Sequence, residues 1–417
     1  MKKNNIFNIV SKCIVLIISI FVLTFNNSLN TCKVTGLLLL IINIISICRV
    51  RNNWLLIIIL GFMFYSNFSI VMADYFHVVN DFFTSFSNEE VSIIGLNILF
   101  LFNSLIFIML PTKVNSNILE LKESIEKTEQ GNIVVNAIIL ALIVILFFFF
   151  SRPTVPGQRG SSSTIYEYAI ILFIIGYLFS NKRQKRILNF IIFFYILQDL
   201  VFGNRVTALQ MIILEFLVVF SDKFSIKQLL PLLVISIVLF TGIGQYRGEF
   251  SLSIETFIQI FNSLFSNGFV NDTAYSAFFT SLTFLKLSNI LSFGKRITYF
   301  VPFFLSIFLG GSVPNSSLPI ITREYYLHYY GGIYPYFFYF YFGIFGILIS
   351  SLMLCIFIKK INQISFTSSI YCKAIAIYAT CTVPRWYLYS PLILFRGSIF
   401  ILIIIFVLKQ FTKYKIK

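Results

Sequence analysis

The residues best suited to chemistry in this chain are arginines placed at the ends of apolar runs. Gly203-Asn204-Arg205 is wedged between two such runs, so Arg205 must sit at a membrane surface or in a cavity beneath it. A guanidinium there is costly unless paired or solvated, which makes it a functional candidate; the plainer reading is a snorkelling residue that ends a helix. Asp199, a turn or so earlier, and Glu215, in the next run, are candidate ion partners. Gly244-Gln245-Tyr246-Arg247-Gly248-Glu249 repeats the pattern, and the topology below places Arg247 at the depth of Arg205. Two such forks converging on one face suit a diphosphate, because each pairs bidentately with phosphate oxygens and stays charged at any working pH. An Arg247–Glu249 surface pair, worth about 0–1 kcal/mol, is the competing reading.

A third cluster runs from Pro314-Asn315-Ser316-Ser317-Leu318-Pro319 through Arg323-Glu324-Tyr325-Tyr326-Leu327-His328 to Gly331-Gly332. Glu324 and His328 are four apart, so on a helix they share a face and could act as a base and its orienting partner. The tyrosines also fit an interfacial belt. Pro384-Arg385-Trp386-Tyr387, Arg396, Arg152 and Arg159 complete the set of arginines beside apolar runs. No Walker loop, dinucleotide fingerprint, zinc-spaced set or nucleophile elbow is present. The only histidines are His77 and His328, which excludes a multi-histidine metal centre, and the six cysteines form no CxxC pair.

What must position these residues is membrane helix. The chain is 58% hydrophobic and 12% charged, a balance that no water-soluble core buries. A crossing needs about 20 apolar residues, and the candidate spans are 6–25, 34–48, 54–73, 91–110, 132–150, 164–180, 187–202, 206–220, 229–246, 334–358, 366–384 and 390–408. The expected fold is therefore an all-α polytopic membrane protein of about 12 transmembrane helices. Residues 1–246 hold nine of them with short loops, 247–333 form a large external loop domain, and 334–417 carry the last three and a tail. The apolar run 297–309 in the loop is too short to cross and suggests helices on or dipping into the membrane surface.

The basic residues orient this array. With the start inside, the cytoplasmic segments hold roughly four arginines to seventeen lysines and the external segments eight to three, by direct count. Asn181-Lys182-Arg183-Gln184-Lys185-Arg186 is the strongest inside signal, and Asp74 to Glu90 is an acidic external loop. Both termini are expected in the cytoplasm. The net charge of +16 thus reads as an orientation signal, with the lipid bilayer rather than nucleic acid as partner.

The arrangement resembles the Wzy-type polymerases of O-antigen and capsule repeat units. The matching features are the Gly-x-Arg step Gly203-Asn204-Arg205, a late external loop carrying prolines and then Glu324-Tyr325-Tyr326, and the Phe-Gly-x-x-Gly step Phe342-Gly343-Ile344-Phe345-Gly346. The topology match spans the whole chain. The resemblance implies a membrane-embedded glycosyltransferase of GT-C-like architecture, inverting, metal-independent and without a cofactor. It would work at the external face of the bacterial inner membrane on undecaprenyl-pyrophosphate-linked glycans, beside a flippase and a chain-length regulator. In that reading Arg205 and Arg247, supported by Arg385 and Arg323, hold the diphosphate, and Glu324 or His328 takes the acceptor proton. A polysaccharide-unit flippase, an O-antigen ligase and a membrane O-acyltransferase are the rival classes. A flippase would show two comparable halves and charges deep within spans, and this chain has a single long late loop.

Overall fold

The computed structural model describes residues 2–26, 28–76, 89–111, 114, 133–152, 160–221, 258, 272–328, 331–365 and 368–414. Apart from one two-stranded ribbon, the regular elements among them are helices, joined where the sequence supplies polar caps. Helix α1 spans Lys2–Phe25, and α2, Leu29–Arg49, opens on a reciprocal Ser28–Thr31 capping box. Asn53 caps α3, Trp54–Val71, by accepting from Leu56 N at 3.3 Å. Helices α4, Glu89–Met109, and α5, Ile133–Phe148, follow. The ribbon β1 (Phe150–Ser151) and β2 (Ser161–Ser162) is antiparallel, Phe150 opposite Ser162, and leads into α6, Thr164–Phe179.

Helix α7, Lys182–Val201, starts on a second capping box, with Gln184 N donating to Asn181 Oδ1 at 2.9 Å and Asn181 N to Gln184 Oε1 at 3.2 Å. Its basic first turn opposes the helix dipole, which favours anions at that end. Those charges therefore do not serve the helix. Helix α8, Arg205–Glu215, ends in a π-helical turn. Then come α9, Thr273–Ile290; α10, Phe293–Leu309; α11, Leu318–Arg323; α12, Tyr334–Phe342; α13, Ile344–Asn362; α14, Ile370–Cys381; α15, Val383–Leu388; and α16, Leu392–Tyr414.

Among the described residues, five helices are long and apolar enough to cross a membrane: Asn30–Arg49, Trp54–Val71, Glu90–Met109, Ile344–Asn362 and Leu392–Gln410. Helices within and beyond this set carry exposed apolar residues, as at Ile17 of α1, Phe147 of α5, Phe190 of α7 and Phe345 of α13, which a water-soluble fold of this size would have to cover. The protein is thus a mainly helical membrane protein. The candidate span 229–246 lies outside the described residues.

Two expected spans are broken. Residues 334–358 do not form one helix: Gly343, at φ +61°, divides α12 from α13. A Cβ at Gly346 would overlap the Phe338 carbonyl, yet positions eight apart lie about 12 Å apart along a continuous helix, so the chain must fold back. Residues 366–384 break at Thr382, where Pro384 starts α15. Within the stretch 247–333, α9 is buried along most of its length and packs on α3, α4 and α12.

The fold-back sends α12 antiparallel to α4. Tyr334 rests on Phe102, rings 6.0 Å apart, while Tyr336 donates to Gly95 O at 2.7 Å. The segment before it is anchored by Ile333 N to Ser281 Oγ at 2.8 Å and Gly332 N to Leu388 O at 2.9 Å. The hairpin generates a graded expectation. Gly346→Ala should destabilise by about 1–3 kcal/mol through overpacking and Gly343→Ala by about 1–2 kcal/mol through left-handed strain alone. Gly61→Ala, in open space within α3, should be neutral or stabilising. Thermal unfolding in detergent ranks the three, and equal melting of all would contradict the fold-back.

Candidate functional site

The end of the bundle where α6 and α16 begin and α3 and α7 finish collects the charged side chains. Glu167, in the first turn of α6, forms an ion pair with Arg385 of α15 and also accepts from Ser162 Oγ at 3.0 Å. The ribbon, the cap of α6 and the short helix α15 therefore meet at one carboxylate. Arg396, in the second turn of α16, donates to Ser306 O of α10 at 2.5 Å and interacts with the Tyr168 hydroxyl. Tyr168 and Tyr378 both feel Arg385 and Arg396, so the two arginines share one neighbourhood.

On the far side, Asp272, at the start of α9, receives Tyr65 Oη and Ser69 Oγ of α3, both at 2.7 Å. Tyr65 lies within electrostatic reach of Arg205 and Tyr389. Gly203, at φ +77°, makes the turn that lets Asn204 N return to Asp199 O at 2.7 Å and starts α8 at Arg205. Between these groups lies Asp199, with no exposed surface. Tyr166, Thr207 and Asn204 surround its carboxylate and Arg385 acts on it electrostatically, but neither oxygen closes a hydrogen bond of ordinary geometry. The Tyr166 and Tyr387 hydroxyls, both Gln210 side-chain atoms and Arg385 Nε are likewise buried without a hydrogen-bond partner. Native interiors leave few such atoms, and here they concentrate on α6, α7, α8 and α15.

Placement of the predicted residues is mixed. Arg205 and Arg385 belong to this cluster, while Arg247 lies outside the described residues. Arg323 ends α11 and is exposed, as is Glu324. The helix that would have put Glu324 and His328 on one face stops at Arg323, and His328 Nε2 instead meets Thr322 Oγ1 at 2.9 Å. The expected shared helical face of Glu324 and His328 is therefore not formed. Glu215 accepts from Tyr177 Oη at 2.9 Å. Sequence reasoning overlooked Glu167 and Asp272. Each is an acid at a helix start, but isolated acids at helix starts are ordinary caps, so the sequence carried no distinguishing signal.

Chemically, the site offers guanidiniums for an anion, a deeply buried carboxylate, and hydroxyl and amide groups suited to polyhydroxylated ligands. No protein-family model matches the chain, and no curated protein or solved structure matches it either.

The Glu167–Arg385 side chains are 29% and 17% exposed, between a surface pair and a fully buried one. Truncating either to Ala should cost about 2–3 kcal/mol, below the 3–5 kcal/mol of a fully buried pair. The double variant Glu167→Ala/Arg385→Ala should lose clearly less than the sum of the single changes. A double-mutant cycle of thermal unfolding reads this coupling, and strict additivity would show that the pair does not hold α6 to α15.

Proposed function

We propose that this chain is a membrane glycosyltransferase that polymerises oligosaccharide repeat units carried on a polyprenyl diphosphate, as its resemblance to the Wzy-type family suggests. The observation that carries the reading is a buried Asp199 surrounded by Tyr166, Thr207 and Asn204 and within electrostatic reach of Arg385, at the end of the helix bundle where Arg205 starts α8. In the family-based orientation that end is the external face of a bacterial plasma membrane, where lipid-linked O-antigen or capsule units are assembled.

The reaction the site suits is a single displacement. A hydroxyl oxygen of the acceptor glycan attacks the anomeric carbon of the donor, the bond from that carbon to the diphosphate oxygen breaks, and the lipid diphosphate departs with the electron pair. Positive charge at fixed positions stabilises the departing anion without reorganisation. Arg205 and Arg385 supply it, and Glu167 fixes the orientation of Arg385. The acceptor proton needs a base within reach. Among the three carboxylates of the cluster, Glu167 is engaged by Arg385 and Ser162, and Asp272 by Tyr65 and Ser69. Asp199 is surrounded by the neutral side chains of Tyr166, Thr207 and Asn204 rather than paired directly with a cation, and we assign the base role to it rather than to Glu324 or His328.

Surface glycans resolved by chain length test the reading. Disrupting the gene should remove long chains and leave single-unit product; undiminished long chains would exclude polymerisation, and loss of single units as well would point to transport instead. At matched protein levels Asp199→Asn should lower elongation by about 10²–10⁴-fold, the usual worth of a general base. Arg205→Ala should also abolish the ladder. Normal chain lengths in both variants would remove this site from the reaction.

A further inference from the structure

Helix α7 carries two stripes of opposite character. Leu188, Ile192, Tyr195 and Asp199 are buried, whereas Phe190, Phe194, Leu197 and Val201 are exposed. Each stripe steps by three or four residues and the two are offset by two, which places them on roughly opposite sides of the helix. The inward stripe ends at the candidate site. The outward stripe, with Ile143, Leu146 and Phe147 of α5, lines an open apolar groove of about 510 Å³.

One end of this groove is polar. Arg152 and Gln198 line it there and approach each other, Arg152 Nη2 to Gln198 Oε1 at 3.5 Å. Arg152 is not on a loose tether. It follows directly on β1, whose partner strand is preceded by Gly160, and Gly160 N donates to Phe202 O at the end of α7 at 3.2 Å. A Cβ on Gly160 would come within 2.7–2.8 Å of Phe150 and Phe202, so only glycine allows the ribbon to seat so closely. The Phe150 ring lies 5.6 Å from Phe202 and 5.1 Å from Tyr166, and Tyr166 faces Asp199.

From this geometry we infer that the α5–α7 groove is the docking site for the hydrocarbon chain of a polyprenyl diphosphate, with Arg152 on its phosphates. The inference rests on the diphosphate chemistry proposed above. From Phe190 to Phe202 the groove follows α7 for about 18 Å, more than half of a hydrocarbon layer of about 30 Å. A long linear chain of isoprene units matches that shape, and a planar guanidinium at its end matches a diphosphate. Continuity selects the substrate over a bilayer lipid: Phe202 lines the groove, Gly203 makes the turn, and Arg205 stands on the other side of the same helix end. A headgroup held at Arg152 has only the α7–α8 turn to pass to reach the arginine cluster. The lipid thus stays outside the bundle while its diphosphate reaches in.

The test uses the full chain in phosphatidylcholine vesicles with a polyprenyl diphosphate carrying a diazirine along its chain, and maps photolabel by peptide mass spectrometry. Label should concentrate on residues 143–147 and 190–201. Unlabelled polyprenyl diphosphate should compete at least tenfold better than polyprenol or phosphatidylglycerol. Arg152→Gln should reduce labelling about tenfold with unchanged thermal unfolding, Arg152→Lys less, and Leu197→Trp should reduce it by filling the groove. Label spread over every lipid-facing helix, equal competition by phosphatidylglycerol, or indifference to both Arg152→Gln and Leu197→Trp would overturn the inference. The two readings fail separately. Specific label on α7 with glycan chain lengths unaffected by gene loss keeps the groove and removes the polymerase; scattered label with elongation lost in Asp199→Asn removes the groove alone.

Discussion

The ion pair of Glu167 with Arg385 joins positions 218 residues apart in sequence and carries much of the organisation around it. A guanidinium within an apolar bundle is tolerated only when a carboxylate and further acceptors replace its water. Meeting that demand fixes α15 against the start of α6. Because Ser162 donates to the same carboxylate, the ribbon is fixed with it, and the ribbon in turn rests on the end of α7 through Gly160 and Phe202. Four segments are thus placed relative to one another around a single charge pair. Tyr168 then ties the pair to Arg396, and Arg396 to α10.

That arrangement accounts for the polar groups gathered at this end of the bundle. Each buried polar atom raises the cost of folding unless a partner is supplied, and partners are cheapest where several helices already present them. Tyr65, Ser69 and Asp272 form such a set between α3 and α9. Asp199, Gln210 and Tyr387 have side-chain atoms buried without closing hydrogen bonds, as do Ser104 and Tyr341 elsewhere in the bundle. Stability alone gives no reason to retain them, since apolar side chains of similar volume would cost less. Groups kept at such cost are characteristic of sites that meet a ligand.

Much of the helical array was legible from apolar run length, because spans such as 54–73, 91–110 and 390–408 have no alternative way to satisfy their backbones in lipid. Arg205 was legible too: a Gly-x-Arg step between two spans puts charge where it must be accommodated. Breaks inside apolar runs were not. Residues 334–358 read as one continuous span because hydropathy is blind to direction, and the reversal at Gly343 depends on the Phe338–Gly346 contact that only a fold supplies. Glu324 and His328 misled for the opposite reason. Helical spacing predicts a shared face only while the helix continues, and α11 ends at Arg323, before either residue.

The breaks themselves follow a rule. Backbone that leaves helical geometry at membrane depth exposes N–H and C=O groups, and these persist only where protein or a polar cavity satisfies them. At three of the interruptions, Gly203, Gly331-Gly332 and Thr382, polar groups find partners either locally or on a neighbouring element. Gly203 precedes the turn whose Asn204 N returns to Asp199 O, Gly332 N reaches Leu388 O at the end of α15, and Thr382 Oγ1 donates to Tyr378 O at 2.7 Å. Broken helices and charged side chains therefore depend on one another here. The breaks turn Arg205 and Arg385 toward the interior, and the polar neighbourhood those arginines require supplies the partners that the broken backbone needs.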